Sequence, residues 1–171
     1  SVILGSIYFG CLTMQGQVDG GIIVDGVTLN CRMADYRTGG ENAYMLLKNS
    51  IINPAFSANV VFGTRDFVGK RMIALQDCRC VDMEAMNGEG SLLCLCAGDG
   101  MLERVYMANT EKFIGMTNYS RTQVNAISSL TVKDCLFENC QSIHGLTVVL
   151  PEDSEANITV ENTEFLHVTP E

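Results

Sequence analysis

The sequence predicts an all-β fold: a single-stranded, right-handed parallel β-helix of about six coils, with three short strands in each coil. Three observations predict it. Residues 130–140, LTVKDCLFENC, return in altered form 28 residues later as 158–168, ITVENTEFLHV. Weaker copies of one pattern run upstream: an apolar residue, one intervening position, Asp or Asn, then a small residue. Val, Ile and Thr are plentiful, Trp is absent and Gly numbers 16, a composition that suits short strands joined by many turns.

The two clear copies pair Leu130 with Ile158, Thr131 with Thr159, Val132 with Val160, Lys133 with Glu161, Asp134 with Asn162 and Phe137 with Phe165. In order along the chain, the Asx residues of the pattern fall at Asp25, Asn49, Asp77, Asn109, Asp134 and Asn162, in steps of 24, 28, 32, 25 and 28. Asn and Asp tolerate the left-handed backbone region and bond their own turn, so each bends a strand without a long loop. The small residues that follow are Gly26, Ser50, Cys78, Thr110, Cys135 and Thr163. Two positions later stand Ile52, Cys80, Phe137 and Phe165, with Thr28 and Lys112 out of pattern. Leu29 and Phe113 lie one position beyond those misfits, which suggests a bulge in two coils. A third apolar run completes most repeats, around Val60-Val61-Phe62, Leu92-Leu93-Cys94-Leu95, Gln123-Val124-Asn125-Ala126-Ile127 and Leu146-Thr147-Val148-Val149. Repeats of this length bury a core only by stacking on their neighbours. An antiparallel sandwich would also give short strands, but not this joint recurrence of apolar, Asx and small positions.

LTVKDCLFENC and ITVENTEFLHV resemble the coil repeats of the pectate-lyase-like right-handed β-helix superfamily, and the resemblance extends over about residues 22–168. It implies the fold, an asparagine ladder at the bend and an inward aromatic stack. It implies no single chemistry, because that superfamily holds polysaccharide lyases and hydrolases, phage tailspikes, bacterial surface passengers and non-catalytic interaction domains. The paired aspartates and Gly-His-Gly of its polygalacturonase-like members are absent, with Ile143-His144-Gly145 a partial echo.

Residues 1–171 read as one domain, or as a section of a longer stack. The apolar run 1–12 lacks a basic flank and a small-residue cleavage site, so it is expected to be a strand pairing beneath the first coil, not a signal peptide. No stretch reaches the ~20 apolar residues of a membrane helix. Twenty acidic against 11 basic residues, a net charge of −9, oppose a nucleic-acid footprint.

Candidate chemistry is sparse. Asp82 and Glu84, close to Asp77, are the carboxylates a catalytic reading would use for acid–base work on a sugar. Asp77 itself is more simply a rung of the Asx series. Cys78, Cys80, Cys94 and Cys96 form two Cys-x-Cys pairs that would suit a four-thiolate zinc site, because alternate strand residues share a face. The plainer reading makes them core thiols, reduced and structural, with no cofactor. Residues 33–43 and 83–100 read as the longest insertions, and Tyr36, Arg37 and Tyr44, in or beside the first, are the candidate binding residues. Two function classes follow. One is a non-catalytic scaffold binding glycan or protein, on a virion spike or a bacterial surface, oligomeric or flanked by domains that cover its open ends. The other is a polysaccharide lyase or glycoside hydrolase with a carboxylate-lined face.

Overall fold

A strand that must turn without a loop needs a residue in the left-handed backbone region, where Gly, Asn and Asp cost least. The computed structural model has such a residue six times along one line: Gly26 (φ 67°), Asn49 (49°), Asp77 (53°), Arg104 (52°), Asp134 (54°) and Asn162 (46°). It describes residues 2–8, 11–16, 21–30, 33–38, 43–52, 60–64, 71–81, 91–95, 98–109, 113–117, 127–140, 146–149 and 155–168. Among these there is no helix.

One strand precedes each bend and one follows it. Strand β3 (Gly21–Asn30) runs through the first bend. The later leading strands are β5 (Ala43–Lys48), β8 (Arg71–Gln76), β11 (Gly98–Glu103), β14 (Ile127–Lys133) and β17 (Glu155–Glu161). The trailing strands are β6 (Ile51–Ile52), β9 (Arg79–Val81), β12 (Tyr106–Ala108), β15 (Leu136–Glu138) and β18 (Glu164–Leu166). Together they make one parallel sheet in the order β17-β14-β11-β8-β5-β3-β6-β9-β12-β15-β18. The N-terminal strand β1 (Val2–Tyr8) pairs in parallel with β3 on both sides of the bend, as expected of that apolar run. A second parallel sheet, β16-β13-β10-β7-β4-β2, gathers β2 (Cys11–Gly16), β4 (Met33–Thr38), β7 (Val60–Thr64), β10 (Ser91–Leu95), β13 (Phe113–Thr117) and β16 (Leu146–Val149). From β3 onward the chain visits leading strand, trailing strand and second sheet in the same cyclic order.

Five of the six pairings predicted between the two clear repeats are strand partners, and the sixth, Asp134 with Asn162, falls at the two left-handed bends between them. Leu130↔Ile158, Thr131↔Thr159, Val132↔Val160 and Lys133↔Glu161 are partners across β14 and β17, and Phe137↔Phe165 across β15 and β18. Two upstream assignments are corrected. The first bend is Gly26, because Asp25 pairs with Lys48 and Val24 with Leu47. The fourth is Arg104, because Leu102 pairs with both Leu75 and Val132. Asn109 belongs to a second series of left-handed residues, Asn109, Asn139 and His167, which end the trailing strands. These corrections remove the misfits from which bulges were expected, and the register shifts present among the described residues lie between β1 and β3 and between β10 and β13. Counted from Gly26 and Arg104, the third residue is Leu29 and Met107, and these pair with Ile52 and with Cys80 and Phe137. Two further expectations fail in part. Residues 33–38 are the strand β4, not an insertion, and 91–95 and 98–100 belong to β10 and β11, leaving 83–90 outside the described residues. The third strand of the fourth repeat is β13, not residues 123–127; Ile127 opens β14 and 123–126 lie outside the described residues.

The core follows from alternation across each strand. Two residues before the bend, Val24, Leu47, Leu75, Leu102 and Val132 line up and are all buried. Three residues after it, Ile52, Cys80, Met107 and Phe137 form the facing column, also buried. The outward residue just before the bend is Asp25, Lys48, Gln76, Glu103, Lys133 and Glu161 in successive repeats. The backbone ladder runs through the turns: the amides of Asn49, Asp77, Arg104 and Asp134 donate to the carbonyls of Gln76, Glu103, Lys133 and Glu161 at 3.0 Å each.

Candidate functional site

Chemistry on this scaffold would need a carboxylate or thiol held free for work. The bend ridge instead ties its charged groups to one another. Asn49 Nδ2 donates to Asp25 Oδ1 at 2.9 Å and Lys48 Nζ lies 3.1 Å from Oδ2. The amide first, then the ammonium, hold the Asp25 carboxyl below its ordinary value. Arg104 grips Asp77 with two hydrogen bonds, Nε to Oδ1 at 2.6 Å and Nη2 to Oδ2 at 2.9 Å, and this fork lowers the Asp77 pKa. The same guanidinium reaches Glu103 Oε1 at 2.6 Å, while Gln76 Nε2 donates to Glu103 Oε2 at 2.8 Å. On the trailing strands the Arg79 guanidinium lies 4.7 Å from the centre of the Tyr106 ring, whose hydroxyl donates to Glu138 Oε2 at 3.1 Å. A general acid near neutral pH needs a carboxyl pushed up. Asp25 and Asp77 are pushed down, and all of these groups bridge successive repeats.

The thiols divide by position. After four of the six bends a small hydroxyl or thiol residue closes the turn, while Val27 and Val105 follow the other two. Ser50 Oγ donates to the Lys48 carbonyl (2.6 Å), Thr163 Oγ1 to that of Glu161 (2.9 Å), Cys78 Sγ to that of Gln76 (3.2 Å) and Cys135 Sγ to that of Lys133 (3.2 Å). The same atoms accept amides from the preceding repeat: Val27 N–H to Ser50 Oγ, Val105 N–H to Cys135 Sγ and Cys135 N–H to Thr163 Oγ1. Cys78 and Cys135 thus stand in for serine and threonine. Burial pushes the Cys78 thiol up to about 11, raises that of Cys135 and raises that of Cys80 well above its ordinary value. Cys78, Cys80 and Cys135 are free thiols, and all three are buried, as is Cys140.

The residues singled out from sequence do not converge. Tyr36 and Arg37 lie on β4 in the smaller sheet, Tyr36 opposite Met14 and Thr64. Tyr44 lies on β5 in the larger one, exposed, its ring covering Gly21 so closely that a Cβ there would meet ring carbons at 2.5 Å. This cross-strand cover gives Tyr44 a packing role. Cys94 sits on β10 opposite Gly63 and Gly115, while Cys96, Asp82 and Glu84 lie outside the described residues. Among the described residues no three His, Cys, Asp or Glu side chains gather as a metal site requires.

The feature that sequence reasoning did not name is the set of exposed apolar residues in the last described repeat. Strands β17 and β18 are the two ends of the large sheet, each paired on one side only among the described residues. Ile158, Val160, Phe165 and Leu166 are 39%, 46%, 49% and 41% exposed, whereas their column mates Leu130, Val132 and Phe137 are 0%, 0% and 4%. Phe165 stacks on Phe137 with centroids 5.1 Å apart and planes 14° apart. Glu161 and Glu164 flank these apolar groups and are exposed. From 151 to 171 the sequence carries Glu152, Asp153, Glu155, Glu161, Glu164 and Glu171 and no Lys or Arg. The signal was therefore present as charge, but exposure depends on what stacks next, which no periodicity reveals. Compared with protein-family models, curated proteins and solved structures, the chain matches none.

Proposed function

We propose that this chain is a section of right-handed parallel β-helix working as a non-catalytic scaffold or surface-interaction module that binds glycan or protein. The cyclic order of the strands and the in-register bends support the helical winding. The observation that carries the non-catalytic reading is the bend ridge, where Asn49 and Lys48 hold Asp25 and Arg104 holds Asp77. The ridge supports the non-catalytic half, since its carboxylates and its arginine are engaged with one another. A virion spike or a bacterial surface protein is the setting such a rod would fit.

The test is a polymer-cleavage assay against bacterial and plant polysaccharides. The scaffold reading expects no products. Product formation that disappears in a D82A/E84A variant would replace it with the polysaccharide-degrading reading.

A further inference from the structure

We infer that the outer face of the leading strands is self-complementary, and that two copies of this chain pair through it, antiparallel, about a two-fold axis at Ala74. This goes beyond the scaffold reading and does not depend on it. The surface is the flank of the stack, which a further repeat above or below leaves uncovered.

Alternation decides which residues stand there. Val24, Leu47, Leu75, Leu102 and Val132 are the buried column, so the residue before each of them points outward. These outward residues are Ile23, Leu46, Ala74, Met101 and Thr131, register partners in succession, with Thr159 next. The column is apolar through four repeats and then turns to threonine. Two places further from the bend, Tyr44 (38% exposed) and Met72 (39%) widen the strip, and Asp99 and Ser129 continue it. The column just before the bend, Asp25, Lys48, Gln76, Glu103 and Lys133, borders it on the other side. An apolar strip on the water side of a sheet, within the stack and away from its ends, marks a docking surface.

Charge identifies the occupant as a second copy. A two-fold axis along the strand direction at Ala74 keeps each column facing itself and reverses the order of repeats. Lys48 then meets the second copy's Glu103, Asp25 meets the second copy's Lys133, and Gln76 meets its own counterpart. In the same arrangement Leu46 meets the second copy's Met101 and Tyr44 the second copy's Asp99, while Ala74 and Met72 face their own counterparts. Moving the axis half a repeat towards Glu103 opposes Asp25 to Glu161 and Lys48 to Lys133; a whole repeat opposes Glu103 to itself. The same moves the other way oppose Asp25 to Glu103 and Lys48 to itself. One and a half repeats towards Glu103 pairs it with Lys133, but sets Met101 and Ala74 against Thr131 and Thr159. Only the axis at Ala74 matches charge and apolar residues over five repeats. Five repeats at ~4.8 Å and five residues at ~3.3 Å make a footprint of about 400 Å² per copy, which is small, so the dimer is weak.

The test is sedimentation equilibrium of the whole chain, loaded from about 5 µM to about 500 µM, the range a small interface calls for. A monomer–dimer equilibrium that stops at the dimer is expected. K48E sets a carboxylate against the second copy's Glu103, and E103K sets an ammonium against the second copy's Lys48, each twice per dimer. Either variant alone should dimerise at least about tenfold more weakly. Their equimolar mixture should recover the original association, because opposite charges then meet at both contacts. Met72, exposed and facing itself, gives a second pair that leaves the bonds of Lys48 and Glu103 within the chain intact. M72E and M72K should each weaken the dimer by a similar factor and restore it when mixed, with circular dichroism showing both folded. A monomer at every concentration, or no recovery on mixing M72E with M72K, would overturn the inference. So would growth beyond the dimer or indifference to these substitutions, the behaviour of chains that meet end to end. The polysaccharide assay reads the scaffold proposal separately, so neither failure implies the other.

Discussion

Cys78 and Cys80 are two residues apart on one face, yet the structure gives them different tasks, and serine separates them. At Cys78 the thiol donates to the Gln76 carbonyl at 3.2 Å in a slot where Ser50 and Thr163 make the same bond with oxygen. Cys78→Ser keeps the donor and the acceptor, and should cost under about 1 kcal/mol. Cys80 has no surface exposed and sits between Ile52 and Met107, and among the described residues it has no hydrogen-bond partner. A hydroxyl there is buried and unpaired, at about 1–3 kcal/mol. The two variants should therefore differ by about 2 kcal/mol, near 1 M in urea midpoint at a slope of about 2 kcal/mol/M. Equilibrium urea unfolding of both variants measures this. Equal midpoints would refute the division of roles. Stoichiometric zinc lost from both would refute it differently, by restoring the metal reading.

Other consequences are independent of that pair. Phe137→Ala should cost about 3–5 kcal/mol and Phe165→Ala at least about 2 kcal/mol less, because Phe165 has one face open; thermal or urea unfolding compares them. Stability should fall as pH rises from 9 towards 11. The Cys78 thiol, 9.0 when free and about 11 when folded, favours the folded state in its neutral form, by about 2–3 kcal/mol that is complete below pH 9 and then lost. Cys78→Ser should lack that component. At the acid end the sign reverses. Asp25 and Asp77 are depressed below 3.8, so their contribution is present above that pH and lost as pH falls through their folded values; Asp77→Asn should flatten the acid limb of a urea-midpoint profile. At Arg104, φ 52°, Asn should be tolerated within about 1 kcal/mol, whereas Val should cost about 1–3 kcal/mol from backbone strain.

The legible part of the fold was the part where each repeat obeys the same local rule. Residues 130–140 and 158–168 share apolar, Asx and aromatic positions, and their register follows directly. Arg104 was illegible for a physical reason. The left-handed region selects Asn, Asp or Gly by backbone cost, and an arginine there is sustained by its fork onto Asp77, a contact 27 residues away. With Arg104 unseen, Asn109 took its place, because a second series of bends used the same residue type. Cys78 and Cys135 were legible as packing residues, since they occupy the slot of Ser50 and Thr163. The packing of Tyr44 was not legible, since the empty face that Gly21 offers its ring depends on the register of β3 and β5. Open ends to the stack were expected from the sequence, but which side chains stand exposed there was not, because exposure is a property of the stack and not of any one strand.

The central claim is that equivalent residues of successive repeats stack in parallel with Arg104, not Asn109, in the bend line. Scalar couplings across backbone hydrogen bonds test it most directly, as they report each donor–acceptor pair through the bond itself. The account predicts couplings from the amide nitrogens of Asp77, Arg104 and Asp134 to the carbonyl carbons of Glu103, Lys133 and Glu161, respectively. A coupling from Asn109 to Lys133, or reciprocal pairs of couplings between β14 and β17 of the kind antiparallel strands give, would contradict it.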